Sequence, residues 1–125
     1  MEEIWKEIKG FEGYYAISNL GRVKSLERIQ RNGHRCQERI LLIQPNKKNG
    51  HLQILLHRDM SYKMFYVKRL VAEYFVENPN PSVYTLVKQI DEDKSNCRAD
   101  NLEWTDKVTK SKKIIDWDYH YYNNK

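Results

Sequence analysis

The run Asp91-Glu92-Asp93, with Asn96 close behind, offers hard oxygen ligands of the kind that hold a divalent cation. With His57 or His51 as a substitute base, such a site could hydrolyse a phosphodiester, because that reaction needs an activated water and a polarised phosphate. Adjacent acidic side chains in a loop have no fixed geometry, however. Asp91, Asp93 and Asn96 are equally residues that stabilise turns through side-chain-to-backbone hydrogen bonds. Other ligand chemistries find less support. His34, His51, His57 and His120 are dispersed and form no H-x-x-x-H pair, and Cys36 and Cys97 lack C-x-x-C spacing. Neither a zinc site nor a disulfide framework is spelled out, and no metal ligands are assigned.

Cations are the more abundant chemistry. The 125 residues carry 22 Lys and Arg against 17 Asp and Glu, a net charge of +5, which favours an anionic partner. The charge is distributed: Arg22, Lys24, Arg28, Arg31, Arg35 and Arg39 precede the middle, Lys47, Lys48, Arg58, Lys63, Lys68 and Arg69 lie within it, and Lys107, Lys110, Lys112 and Lys113 follow. A distributed basic surface on an aromatic-rich β framework suits nucleic acid, where phosphate contacts supply affinity and salt sensitivity. It also keeps a small protein soluble, so composition alone does not choose. No apolar run approaches the length of a membrane span, and MEEIWKEIKG is too charged for a signal peptide; a cytoplasmic or nucleoid location is expected.

The elements that must position these groups can be traced along the chain. Tyr14 to Ile17 and Arg22 to Leu26, separated by Ser-Asn-Leu-Gly, predict a β-hairpin with Arg22 and Lys24 on its solvent face and Trp5 and Tyr15 packed in a core. Arg39 to Ile43, His51 to Leu56 and Tyr62 to Val67 predict successive antiparallel strands. Leu70, Val71, Tyr74 and Phe75 then fall at helical spacing, predicting one short helix over Lys68 to Val76 that stops before Asn78-Pro79. Tyr84 to Ile90 and Leu102 to Thr105 read as two further strands, followed by a helix from about Asp106 to Lys113.

The stretch VKRLVAEYFVENPNPSVYTLVKQIDEDKSNCRADNLEW, Val67 to Trp104, resembles the core of phage-type HNH homing endonucleases. Arg69, Leu70, Val71, Ala72, Phe75, Asp91, Lys94, Ser95, Asn96, Asn101, Leu102 and Trp104 carry the likeness. IWKEIKGFEGYYAISNLGRVKSL is similar to the nuclease-associated modular element that precedes such cores, through Trp5, Ile8, Gly10, Tyr15, Ser18, Asn19, Gly21, Val23 and Ser25. The resemblance implies an α+β fold: small antiparallel sheets and hairpins followed by a ββα-metal, or His-Me finger, core. It implies an N-terminal module over 1–45, an HNH-like core over 46–113 and an aromatic segment over 114–125, packed as one unit.

The same resemblance implies that the chemistry has been lost. At the position of the family's general base stands Gln89, at its first metal ligand Lys88, and at its second Lys110; of the core quartet only Asn101 is kept. The His of the family's V-H-R-L is Lys68, and its D-G glycine is Glu92. A carboxamide has no useful proton affinity near neutral pH, and an ammonium offers a cation no lone pair. Two ammonium groups at the metal's place would hold a backbone phosphate without cutting it, or else are solvated lysines released from selection. No cofactor is expected, and Mg²⁺ only if cutting persists. The expected partner is double-stranded DNA, met by Arg22, Lys24, Arg28, Lys63, Lys68, Arg69, Lys88, Lys110, Lys112 and Lys113.

In IIDWDYHYYNNK, Ile115, Trp117, Tyr119 and Tyr121 alternate with more polar residues, so a strand would place them on one face. That face either closes the protein's own sheet or, as Trp117, Tyr119 and Tyr121 suit interface anchors, mediates homodimerisation or meets a host protein. Three functions stay open: a non-catalytic DNA-binding regulator, which is favoured; a protein-binding inhibitor of a host enzyme or defence system; and a residual DNA-nicking endonuclease.

Overall fold

Short runs of β-branched and aromatic residues, broken by Gly, Asn and Asp turns, leave this chain little choice but small antiparallel sheets. The computed structural model describes residues 1–106. Strands β1 (Trp5–Glu7), β2 (Tyr15–Ser18) and β3 (Val23–Ser25) come first, β4 (Arg28–Ile29) and β5 (Arg35–Cys36) form a separate ribbon, and β6 (Arg39–Ile40) returns to the first sheet, whose order is β1-β2-β3-β6. A second sheet of order β7-β8-β9 is built from β7 (Gln44–Pro45), β8 (Leu52–Arg58) and β9 (Ser61–Tyr66). Helix α1 (Val67–Phe75) follows directly, and β10 (Leu86–Gln89) and β11 (Leu102–Thr105) close an antiparallel pair across a loop that ends in a 3₁₀ turn at Ala99–Asn101.

Local chemistry sets the joints. Between β2 and β3, Ser18 Oγ accepts the backbone N–H groups of Leu20 and Arg22, and Gly21 supplies the positive φ of 86° that the turn requires. In α1, Val67, Leu70, Val71 and Ala72 are buried, the i, i+3, i+4 stripe of a helix with one apolar face. The helix ends at Val76, whose extended backbone leads into Asn78-Pro79. Ile8 just after β1, Ile17 and Val23 from the first sheet, Leu56 from β8, and Val67 and Val71 from α1 are each at most 1% exposed. They belong to one apolar cluster with Val87 and Leu102 of the β10–β11 pair, so the N-terminal sheet and the hairpin share a core.

The β2–β3 hairpin, the central strands, the helix (displaced by one residue) and the β10–β11 pair match expectation. The single strand expected over Arg39 to Ile43 does not form. Its first two residues pair with β3, Leu41 still donates to the Val23 carbonyl, and the chain then crosses to the second sheet as β7. Pro45 has no N–H to give a ladder, which confines it to the edge position that β7 occupies. β1 and the β4–β5 ribbon were not anticipated. Apart from Asp106, the helix expected over 106–113 and the aromatic strand expected over 114–125 lie outside the described residues.

Candidate functional site

The β10–β11 register places Lys88 opposite Glu103 and Gln89 opposite Leu102, so the two side chains at the expected base and metal positions point to opposite faces. Gln89 faces inward and is 8% exposed. Its Nε2 donates to the carbonyls of Lys94 at 2.9 Å and Asn96 at 3.3 Å, and lies 3.7 Å from Cys97 Sγ. The side chain is thus a brace for the loop, offering at most an amide oxygen that accepts hydrogen bonds and takes no proton near neutral pH. Lys88 is half-buried, 3.9 Å from Glu103 Oε1 across the strands. Its ammonium has company from a carboxylate and no lone pair to give.

The loop between the strands answers the question of the acidic run. Asn101, itself buried, donates through Nδ2 to Asp91 Oδ1 and to the Asn96 carbonyl, both at 2.9 Å, and accepts the Asp91 N–H at 3.1 Å. Asp91 Oδ1 also accepts from the Asp93 N–H, and Oδ2 from Asn96 Nδ2. The Asp93 N–H, followed by Asn96 and Asn101, holds the Asp91 carboxyl below its ordinary range. Asp93 in turn accepts from the N–H and hydroxyl of Ser95. These carboxylates are committed to building a turn, the role that the residue types alone left open.

His51 is not a replacement base in this arrangement. His51 is buried edge-to-face on Tyr66, and burial, then the charges of Lys68 and Lys94, lowers its pKa to about 3. His57 is exposed on β8, its backbone N–H taken by the Tyr15 hydroxyl. Among the described residues, no three His, Cys, Asp or Glu side chains form a group that could hold a metal. The donor set therefore does not fit the divalent cation that the family resemblance implies: an ammonium stands at one ligand position, and the nearby carboxylate Asp91 already accepts hydrogen bonds on both oxygens. Cys97 is inert for a different reason, since burial pushes its thiol up to about 11.

The other expected phosphate-binding cations among the described residues fall into three groups. Lys68 must be withdrawn: it is 3% exposed on the inner side of α1. Arg22 pairs with Glu3, Arg69 pairs with Glu73 and stacks on Trp104, and Arg28 donates to Ser25 Oγ and two backbone carbonyls, so these three brace the fold. Lys24 lies over the Trp5 ring on the outer face of the first sheet, 3.6 Å from Glu38, and Lys63 is exposed beside Phe65. Tyr15 is buried as expected, whereas Trp5 is half-buried beneath Lys24 and Arg22. Lys110, Lys112, Lys113, Trp117, Tyr119 and Tyr121 lie outside the described residues.

Sequence reading overlooked a second surface. The outward face of the β7–β8–β9 sheet carries Gln44, Gln53, Leu55, His57 and Met64 along an open recess of about 510 Å³, with Arg28 and Arg39 at its rim. The period-2 alternation of Gln53, Leu55 and His57 against buried Ile54 and Leu56 was the available signal.

Comparison with known proteins agrees with this architecture. The NUMOD4 motif matches residues 3–57. The chain is 35% identical over 100 residues to the DNA endonuclease I-HmuI of Bacillus phage SP01, covering 80% of this chain and 51% of that one. It is 34% identical over 115 residues to an uncharacterized HNH endonuclease of Acanthamoeba polyphaga mimivirus, covering 90% of this chain and 25% of the relative. Among solved structures, one reporting DNA binding and cleavage by the HNH homing endonuclease I-HmuI superposes with a TM-score of 0.64 at 36% identity, over 84% of this chain and 52% of that one. The chain thus spans between about a quarter and a half of these relatives. The N-terminal motif, the pairing of β10 with β11 around Asn101 and the shared fold together show that this chain belongs to the HNH homing endonuclease family.

Proposed function

We propose that this chain is a catalytically inactive HNH-endonuclease-like protein that binds double-stranded DNA and acts as a regulator. The observation that carries the reading is Gln89: where the family resemblance expects a base, a buried carboxamide is spent on the carbonyls of Lys94 and Asn96. Water activation by this group has no chemical basis. The fold that would present DNA to the site is retained, and the net charge of +5 supplies the attraction. The related phage protein I-HmuI is described as a DNA endonuclease, which supports duplex DNA as the partner. Lys88, with Lys110, would sit against a backbone phosphate, substituting charge for the Lewis acidity of a metal.

Duplex binding measured across a salt series tests the reading. With about six phosphate contacts, affinity is expected to fall on the order of 10³-fold between roughly 50 and 200 mM salt, and the Lys88→Ala, Lys110→Ala double variant is expected to show a shallower slope. Salt-insensitive binding, or none, would count against DNA as the partner and favour a host protein.

A further inference from the structure

Asn46 and Gln53 form a hydrogen-bond relay whose polarity is dictated by the backbone. In the turn joining β7 to β8, Asn46 Oδ1 accepts the N–H groups of Lys48 at 2.8 Å and Asn49 at 3.2 Å. A backbone N–H only donates, so the atom facing these groups must be the oxygen, and the Asn46 amide nitrogen must face the other way. That nitrogen donates to Gln53 Oε1 at 3.0 Å. Gln53 consequently turns its oxygen toward Asn46, and its own NH₂ is directed away as a donor. Asn46 itself is anchored, since its N–H donates to the His51 carbonyl and its carbonyl accepts the Gly50 N–H.

Gln53 is half-buried on the outward face of β8, between its two register partners, exposed Gln44 on β7 and buried Tyr66 on β9, while neighbouring Ile54 and Leu56 point into the core. Exposed Lys47 and Lys48 stand at the tip of the same turn, and exposed Arg39 borders the recess elsewhere on its rim. A DNA major groove admits a two-stranded β-ribbon, such as β8 and β9 form, and cations around its margin would meet the phosphates on either side. A glutamine held in one amide orientation offers one remaining oxygen lone pair and an N–H donor in a fixed order. Adenine presents the complement there, an N6 donor beside an N7 acceptor, whereas guanine presents two acceptors and opposes the Gln oxygen.

We propose that Gln53, oriented by Asn46, is a specificity-determining residue that reads adenine in the major groove. This rests on the DNA-binding reading above and adds to it a base, an atom pair and a positioning residue. Holding the amide before binding removes the alternative flip and reduces the side-chain entropy lost on contact.

The test is selection from a pool of duplexes of randomised sequence at one salt concentration, with the full chain and with Gln53→Ala, Gln53→Glu and Asn46→Asp, each checked for folding by circular dichroism. The wild type is expected to enrich adenine at one position. Gln53→Ala is expected to lose that preference by roughly 5- to 150-fold while other positions and the salt slope stay unchanged. Gln53→Glu keeps the shape, loses the donor, and is expected to move the preference toward cytosine, whose N4 group donates. Asn46→Asp still accepts from Lys48 and Asn49 but no longer donates to Gln53, so the adenine preference is expected to weaken although Gln53 remains. Identical base preferences in the wild type and the Gln53 variants, or no base enriched by a wild type that does bind, would overturn the role of Gln53 and leave DNA binding standing. A wild type that retains no duplex at all would overturn both.

Discussion

Gln89, the last residue of β10, and Asn101 stand at the two ends of one loop and hold it in different ways. Asn101 keeps its place by hydrogen-bonding to both ends of the loop, at Asp91 and Asn96; Gln89 braces the interior from β10. The loop geometry is held from both ends, and on the reading proposed above Gln89 supplies no proton chemistry to it. The departures at 88 and 89 were legible only through the family resemblance, which says what residue types to expect there. The burial of Lys68 was not, since a lysine in a basic chain is usually solvated, and only its place on the inner stripe of α1 reveals it. His51 gives this interior a pH signature. Its folded pKa of about 3 lies below the ordinary 6.5, so the unfolded chain binds the extra proton, and stability falls as pH drops below 6.5 toward 3. Between about pH 7 and 5, His51→Gln should remove roughly 1–2 kcal/mol of this loss, discounted for partial solvation, as read from urea unfolding. Equal losses in the two proteins would show that His51 does not carry it.

At the level of elements, the turn at Gly21 ties the N-terminal sheet to the β10–β11 loop. A Cβ there would lie 3.1 Å from the backbone carbonyl of Cys97, and φ is 86°, so Gly21→Ala meets both a backbone contact and a strained conformation. The Asn19 carbonyl also accepts the Ala99 N–H across this joint. Gly21→Ala is expected to cost more than about 1 kcal/mol in thermal or denaturant unfolding; an unchanged midpoint would mean that the joint relaxes freely. Elements with strong local signals were legible: the Ser-Asn-Leu-Gly turn, the apolar stripe of α1 and the apolar, branched run of β8. The division of Arg39 to Ile43 between two sheets was not, because strand partners are chosen by long-range pairing and a two-residue strand has no period to read. The relay from Asn46 to Gln53 was likewise invisible, since it joins side chains seven residues apart through a turn closing in one particular way.

Over the whole molecule, a single core joins the N-terminal sheet, α1 and the β10–β11 pair, so sequence change at positions 88 and 89 need not unfold the protein. Many cations are committed to structure: Arg22, Arg28 and Arg69 hold carboxylates, carbonyls or rings. On the DNA-binding reading, the surface left to attract a duplex is therefore narrower than the count of 22 Lys and Arg suggests, with Lys47, Lys48 and Lys63 the better candidates among the described residues. The measurement that tests the central claim most directly is incubation of the purified protein with supercoiled plasmid and Mg²⁺ or Mn²⁺, with mobility shift and nicking read on the same samples. A Lys88→Asp, Gln89→His, Lys110→Asn triple variant, which restores the residue types that the family resemblance expects, is run alongside. Retarded but intact plasmid with the native chain, and nicks with the triple variant, is the predicted result. Divalent-dependent nicking by the native chain would contradict the loss of catalysis.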